Sequence, residues 1–117
     1  MRDDIQNAPA PQGSLLTQVQ RVIEAELPAG NPYSENVART LGMSERTLRR
    51  RLKQEGASFQ QTLDRVRHQL AERLLRIEAL TLKETTFRLG FSDVSAFRKA
   101  YRRWTGFAPR ADGFASG

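Results

Sequence analysis

One short unit occurs twice in this chain, and it limits the folds open to it. Leu41-Gly42-Met43-Ser44-Glu45 is matched by Leu89-Gly90-Phe91-Ser92-Asp93 at an offset of 48. Leu48 and Leu52 are matched by Phe97 and Tyr101 at an offset of 49, so the second copy carries one extra residue. In each copy a glycine breaks a short apolar stretch, and an apolar residue, a hydroxyl and an acid follow. The hydroxyl can accept from the free amides of a helix start, and the acid suits its positive end. Each copy reads as a short helix, a tight turn and a second helix, the sequence form of a helix-turn-helix.

The second helix of each copy carries cations on one face. Arg46, Arg49, Arg50 and Lys53 are spaced i, i+3, i+4, i+7 and share a face opposite Leu48 and Leu52. Ser95, Arg98, Lys99 and Arg102 repeat that spacing opposite Phe97, Ala100, Tyr101 and Trp104. Like charges so close repel one another, and a polyanion would relieve them. A helix about 10–12 Å across is also what the DNA major groove admits. Net charge is +6, and 16 of the 19 basic residues are Arg, whose flat fork grips phosphate and guanine edges. The bland alternative for either face is a solvated basic surface on a core helix.

Other classes find little support. With 117 residues the chain suffices for one compact domain or two very small ones. It has no Cys, and its one His, His68, cannot form a metal cluster alone. No carboxylate pair, activated nucleophile or phosphate-cradling glycine loop is present, so the chain reads as no enzyme and needs no cofactor. No apolar run approaches the ~20 residues of a membrane span, and no secretory signal opens the chain. The expected setting is the reducing cytoplasm, at the nucleoid.

The remaining stretches fall into order around the two units. Residues 1–13 are expected to be a linker or tail, residues 14–112 the folded domain, and residues 113–117 a frayed end. Ser14 caps a first helix to about Leu27, with Leu16, Val19, Ile23 and Leu27 as its stripe; Pro28 and Gly30 end it. The first helix-turn-helix covers about 34–55, with Val37, Ala38 and Leu41 inward. A connecting helix follows over about 58–78, its stripe being Phe59, Leu63, Val66, Leu70, Leu74 and Ile77. Its ~20 residues would rise roughly 30 Å, close to the ~34 Å between successive major grooves on one face of B-DNA. Thr81-Leu82-Lys83-Glu84 reads as a capping box opening the second helix-turn-helix, about 81–105. Pro109 would open a last short turn.

This predicts an all-α domain in which a rod holds two recognition helices in neighbouring grooves of one duplex, with the fragment monomeric. Arg46, Arg49 and Arg50 suit guanine edges, and Val94 suits a thymine methyl, with Ser95 and Lys99 beside it. Lys53, Arg98, Arg102, Arg103 and the hydroxyls of Ser44, Thr47 and Ser92 suit phosphates.

These residues resemble the DNA-binding domain of the AraC/XylS family of bacterial transcription regulators. The resemblance covers about residues 15–110. Its most specific part runs from Leu89-Gly90-Phe91-Ser92-Asp93 through Phe97-Arg98-Lys99-Ala100-Tyr101 to Trp104-Thr105-Gly106-Phe107-Ala108-Pro109. Val37-Ala38, Met43-Ser44, Arg46-Thr47-Leu48 and Arg67 with Ala71 also fit. The family implies seven helices, promoter activation or repression with contact to RNA polymerase, and base reading at Arg46, Arg49, Arg50, Val94, Ser95 and Lys99. It also implies an N-terminal sensing or dimerising domain, so the chain is expected to be an excised C-terminal part, the alternative being a small stand-alone regulator. Three departures stand out. Thr85-Thr86 replace the usual apolar residue and Ala, so Thr85 is expected to bond back to the preceding turn. Arg110-Ala111-Asp112 replaces the usual Tyr-Arg. No sensing domain is present in the sequence.

Trp104, Phe97 and Tyr101 read as core, Arg67 as half of an ion pair with an acid on a neighbouring helix, and His68 as a surface residue. Glu72, Glu78 and Asp64 read as solvated charges. The rival function is a basic helical module that binds an acidic protein. A peripheral membrane binder would need exposed apolar helix faces, which here are needed to close the core.

Overall fold

In the computed structural model, which describes residues 14–30 and 32–109, every regular element is helical. The order is α1 (Leu15–Glu26), a 3₁₀ turn (Leu27–Ala29), α2 (Ser34–Thr40), α3 (Glu45–Gln54), α4 (Phe59–Glu72), a π turn (Arg73–Ile77), α5 (Leu82–Arg88) and α6 (Val94–Thr105). The described residues thus hold six α-helices where seven are expected. The expected turn after Pro109, the leader 1–13 and the tail 113–117 lie outside them.

The core forms where α1 lies along α4, with α2 and α3 packed at α1, α6 on α4, and α5 against α6, the 3₁₀ turn and the π turn. Leu15, Val19, Ile23 and Leu27 of the first helix and its exit turn are buried. Leu15 takes the inside place expected of Leu16, which is only half-buried. Phe59, Leu63, Val66, Leu70 and Leu74 form the expected stripe of the connecting segment. Each such buried side chain contributes about 1.5–3 kcal/mol.

The connecting segment is not one uniform α-helix. Its last turn widens to a π turn, closed by Glu78 N–H donating to the Arg73 carbonyl at 3.0 Å. A wider turn rotates the inward face. Leu75 becomes fully buried, while Ile77, expected inside, stands 78% exposed. The chain leaves through Ala79 at φ 54°, a left-handed position held by a residue that carries a Cβ.

The two repeated units fold alike. After α2, Gly42 N–H donates to the Arg39 carbonyl at 3.0 Å, and Met43 N–H to the Ala38 carbonyl at 3.0 Å. After α5, Gly90 N–H donates to Phe87 at 3.0 Å, and Phe91 N–H to Thr86 at 3.2 Å. Both are the doubled bond of a Schellman ending, which needs a left-handed residue at the glycine. The starts differ. Ser44 caps α3, its Oγ accepting from Thr47 N–H at 3.1 Å. The expected cap of α6 was Ser92, but Asp93 does this work, accepting from Ala96 N–H at 2.8 Å. The extra residue in the second turn moves the acid into the cap position. The capping box of α5 is present in both directions, Thr81 to Glu84 and back, at 3.0 Å each.

Several side chains join the units to the connecting helix in unexpected ways. Arg67 pairs with no acid among the described residues. Its Nε donates to the Leu89 carbonyl at 3.1 Å, and its guanidinium lies 4.3 Å from the centre of the Phe91 ring. Burial pulls its pKa below the usual guanidinium value, and the Asp64 charge opposes this. His68 is not a free surface residue. It stacks on Trp104 at 5.6 Å, meets the edge of Tyr101 at 5.9 Å, and lies 3.5 Å from Glu72. Glu72 is likewise no merely solvated charge: it accepts from Tyr101 Oη at 2.5 Å and pairs with Arg76 Nε at 2.6 Å. Asp64 holds Arg103 at 3.2 Å, and Glu78 lies 3.6 Å from Arg73. Thr85 is fully buried, yet its hydroxyl finds no partner among the described residues, so the back-bond expected of it is not made; its neighbour Thr86 makes one instead, to the Leu82 carbonyl at 2.8 Å. Glu55 accepts from the Leu15 and Leu16 amides at 3.2 and 3.1 Å, tying the end of α3 to the start of α1.

Two outcomes follow for stability. A Cβ on Gly42 meets open space at φ 74°, whereas one on Gly90, at φ 81°, would lie 2.6 Å from the Leu27 carbonyl oxygen. Gly42→Ala is expected to cost about 1–2 kcal/mol, and Gly90→Ala about 2–5 kcal/mol, in urea unfolding. Equal losses would show that the second turn does not press on the exit of α1. Tyr101 is the second case: burial, then its bond to Glu72, pushes its pKa up to about 12. A raised folded value means its contribution is intact below the unfolded value near 10 and is lost as pH rises towards 12. Tyr101→Phe should flatten that part of an alkaline stability profile; an unchanged profile would contradict the assignment.

Candidate nucleic-acid interface

The cations of α3 are placed by Leu48 and Leu52. Both are fully buried, so the opposite side of the helix faces out. Arg46, Arg50 and Lys53 are exposed and have no partner among the described residues. Arg49 differs. Its Nη2 donates to Ser34 Oγ at 2.9 Å and to Glu45 Oε2 at 3.0 Å. Ser34 in turn donates to the same Glu45 oxygen. The expected mutual repulsion of four bare cations is therefore partly met inside the protein. The Ser34 hydroxyl and then the Arg49 guanidinium hold the Glu45 carboxyl below the usual carboxylate range, so Glu45 stays charged at neutral pH.

The hydroxyls expected at phosphates have local work as well. Ser44 Oγ accepts from the Thr47 amide and donates to Thr47 Oγ1 at 3.0 Å. Ser92 lies exposed in the turn before α6.

On α6, Phe97, Ala100 and Tyr101 are buried, which turns Ser95, Arg98, Lys99 and Arg102 outward. None of these four has a partner among the described residues. Val94, the first residue of α6, is half-exposed. Arg103 is exposed but tied to Asp64 of α4. Phe91, Phe97, Tyr101 and Trp104 stack behind the cationic face, at centroid distances of 5.7 to 6.3 Å. Trp104 is half-buried there, with an indole N–H that finds no acceptor among the described residues.

Two residues of this surface escape a sequence reading of cations. Glu45 was readable, being four residues before Arg49 on the same helix face. Ser34 was not, because 15 residues separate it from Arg49 and only the crossing of α2 and α3 brings them together. Among the described residues no group of acids and His is placed to hold a metal, and no helix is long and apolar enough to cross a membrane.

A repeated helix-turn-helix with two outward cationic helices defines a DNA-binding domain. Comparison with known proteins agrees. The model of a helix-turn-helix domain family matches residues 37–112. The ornithine utilization regulator of Pseudomonas aeruginosa is 46% identical over 98 residues, 84% of this chain and 29% of that protein. The crystal structure of the transcriptional regulator CdpR from Pseudomonas aeruginosa superposes with a TM-score of 0.73 at 41% identity, covering 89% of this chain and 32% of that one. A DNA-binding transcriptional dual regulator from Escherichia coli K-12 gives a TM-score of 0.75 at 29% identity, covering 87% of this chain and 91% of that one. The chain belongs to the AraC/XylS family of helix-turn-helix transcription regulators. Its fold is that of a helix-turn-helix domain, shared with a DNA-binding transcription regulator. It spans less than a third of the length of the first curated relatives it matches.

Proposed function

We propose that α3 and α6 enter successive major grooves of one promoter duplex, so that a single copy of this domain reads two unlike half-sites. The observation that carries this is the pair of outward cationic faces, each backed by its own buried apolar face, with α3 held on α1 and α2, and α6 held on α4. The α-helical part of the connection rises about 21 Å over its 14 residues, and the π turn carries it further. Grooves on one face of the duplex repeat about every 34 Å.

In this reading Arg46 and Arg50 take guanine edges, with Arg49 beside them. Val94 meets a thymine methyl, and Ser95 and Lys99 complete the second half-site. Lys53, Arg98 and Arg102 rest on phosphates, with Arg103, Ser44, Thr47 and Ser92 at the margins. The domain binds as a monomer. A sensing or dimerising domain elsewhere in the whole regulator and a contact with RNA polymerase belong to the same proposal, as does a cytoplasmic, nucleoid-associated setting. The chain's resemblance to its family supports them. An acidic protein partner for the basic faces is not favoured, since the relatives are DNA-binding regulators.

Selection of sites from random duplexes, followed by half-site variants, tests this directly. Arg50→Ala should cost about 1–3 kcal/mol and relax base choice in one half-site. Lys99→Ala should act on the other. Arg102→Ala should weaken all sequences alike and make the log–log salt slope shallower by about 0.9. Loss of discrimination in the same half-site for both Arg50→Ala and Lys99→Ala would sink the two-groove reading.

A further inference from the structure

Glu45 sits where a DNA-binding surface least tolerates an acid. It is the first residue of α3 and lies one turn from Arg49, among cations that face a polyanion. A loose surface ion pair would be expected to exchange freely with solvent. This one has a third member. Ser34, the first residue of α2, is only 7% exposed. Its hydroxyl donates to Glu45 Oε2 and accepts from Arg49 Nη2, so three polar atoms close a triangle anchored at the crossing of α2 and α3.

The triangle changes what Arg49 offers. A guanidinium has five N–H donors, and its bidentate forks to a guanine edge or a phosphate use two nitrogens at once. Both forks of this geometry need Nη2. In the free protein Nη2 is already engaged by Ser34 and Glu45. A phosphate offers two oxygens as well, but it presents the same charge at every step of any sequence, so it can engage this fork only by breaking the triangle, with no base-dependent gain to offset that cost. A correctly placed guanine offers N7 and O6 together, a matched pair of acceptors at a fixed distance.

We propose that Glu45, set by Ser34, is a specificity-determining residue: it occupies the Arg49 fork in the free protein and so withholds Arg49 from phosphates, releasing it only at a site with the right base edge. The group acts on Arg49 and touches no base itself. The cost is some affinity; the gain is a larger gap between the right duplex and all others. This rests on the reading of α3 as a recognition helix.

The test compares wild type, Glu45→Gln, Ser34→Ala, Arg49→Ala and the Glu45→Gln/Arg49→Ala pair, on a selected duplex and on random-sequence duplex over a range of salt. Glu45→Gln should raise affinity for random duplex by about 3- to 10-fold and raise that for the selected duplex less, so the ratio between them falls. Its salt slope on random duplex should steepen by about 0.9, as Arg49 takes up one phosphate. Ser34→Ala should move both in the same direction by a smaller amount. In the Arg49→Ala background the slope change caused by Glu45→Gln should vanish. If it persists there, Glu45 merely repels DNA as a whole, and the proposal is overturned. It is equally overturned if Glu45→Gln lowers the melting temperature and leaves the ratio of affinities and the slope untouched, since Glu45 then serves only to hold α2 to α3. Should Glu45→Gln fail to fold, Ser34→Ala carries the same two readouts, and an unchanged slope in it overturns the proposal. A wild-type domain that prefers no duplex over another would instead overturn the reading of α3 itself.

Discussion

The apolar seam between α1 and α4 fixes where everything else sits. Val19, Ile23 and Leu27 on one side meet the stripe of Phe59, Leu63, Val66 and Leu70 on the other. Neither helix-turn-helix has enough apolar surface to stand alone, since α2 and α5 are only seven residues long. Each recognition helix therefore inherits its direction from this seam. The first inherits it through α1, and the carboxylate of Glu55 fastens the end of α3 to the start of that helix. The second inherits it through α4, by way of the aromatic cluster around Trp104 and the bonds made by Glu72.

Arg67 shows how the second unit is locked in place. A carbonyl at the end of a short helix needs a donor, and Leu89 finds one in Arg67 Nε. The same guanidinium covers the Phe91 ring in the turn that follows. Across that turn, Gly90 comes so near the Leu27 carbonyl that no side chain fits. The turn of the second unit is thus held from both sides, by α4 through a cation and by the exit of α1 through backbone contact. The turn of the first unit has no such clasp at Gly42. Equivalent sequence in the two copies therefore carries unequal structural demands.

Much of this was legible in the sequence because local chemistry decides it. The glycine breaks, the Thr81–Glu84 box, the stripe from Phe59 to Leu74 and the outward cations all follow from spacing within one or two turns. What could not be read depends on neighbours distant in the chain. The π turn arises where both Leu74 and Leu75 are drawn into the core, which a strict stripe through Ile77 does not anticipate. Arg67 was expected to meet an acid on a neighbouring helix, but which groups a neighbour presents is set by packing; its partners are a carbonyl and a ring 22 and 24 residues away. His68 and Glu72 read as surface for the same reason. Their neighbour Tyr101 comes from α6.

The single residue that separates the two copies has the widest consequence. In the first unit Ser44 caps the helix and leaves Glu45 free to enter α3 and bind Arg49. In the second unit the turn is one residue longer, and Asp93 itself becomes the cap, spent on the Ala96 amide. An acid used as a cap points back at the helix start and cannot hold a cation one turn on. Lys99 and Arg98 accordingly have no carboxylate partner among the described residues. The two helices share a pattern of cations but differ in restraint: Arg49 on the outward face of the first is tied to a carboxylate of its own helix, whereas Arg98, Lys99 and Arg102 on the outward face of the second have no partner among the described residues. An insertion of one residue in a turn is enough to give two copies of one motif unlike cationic faces.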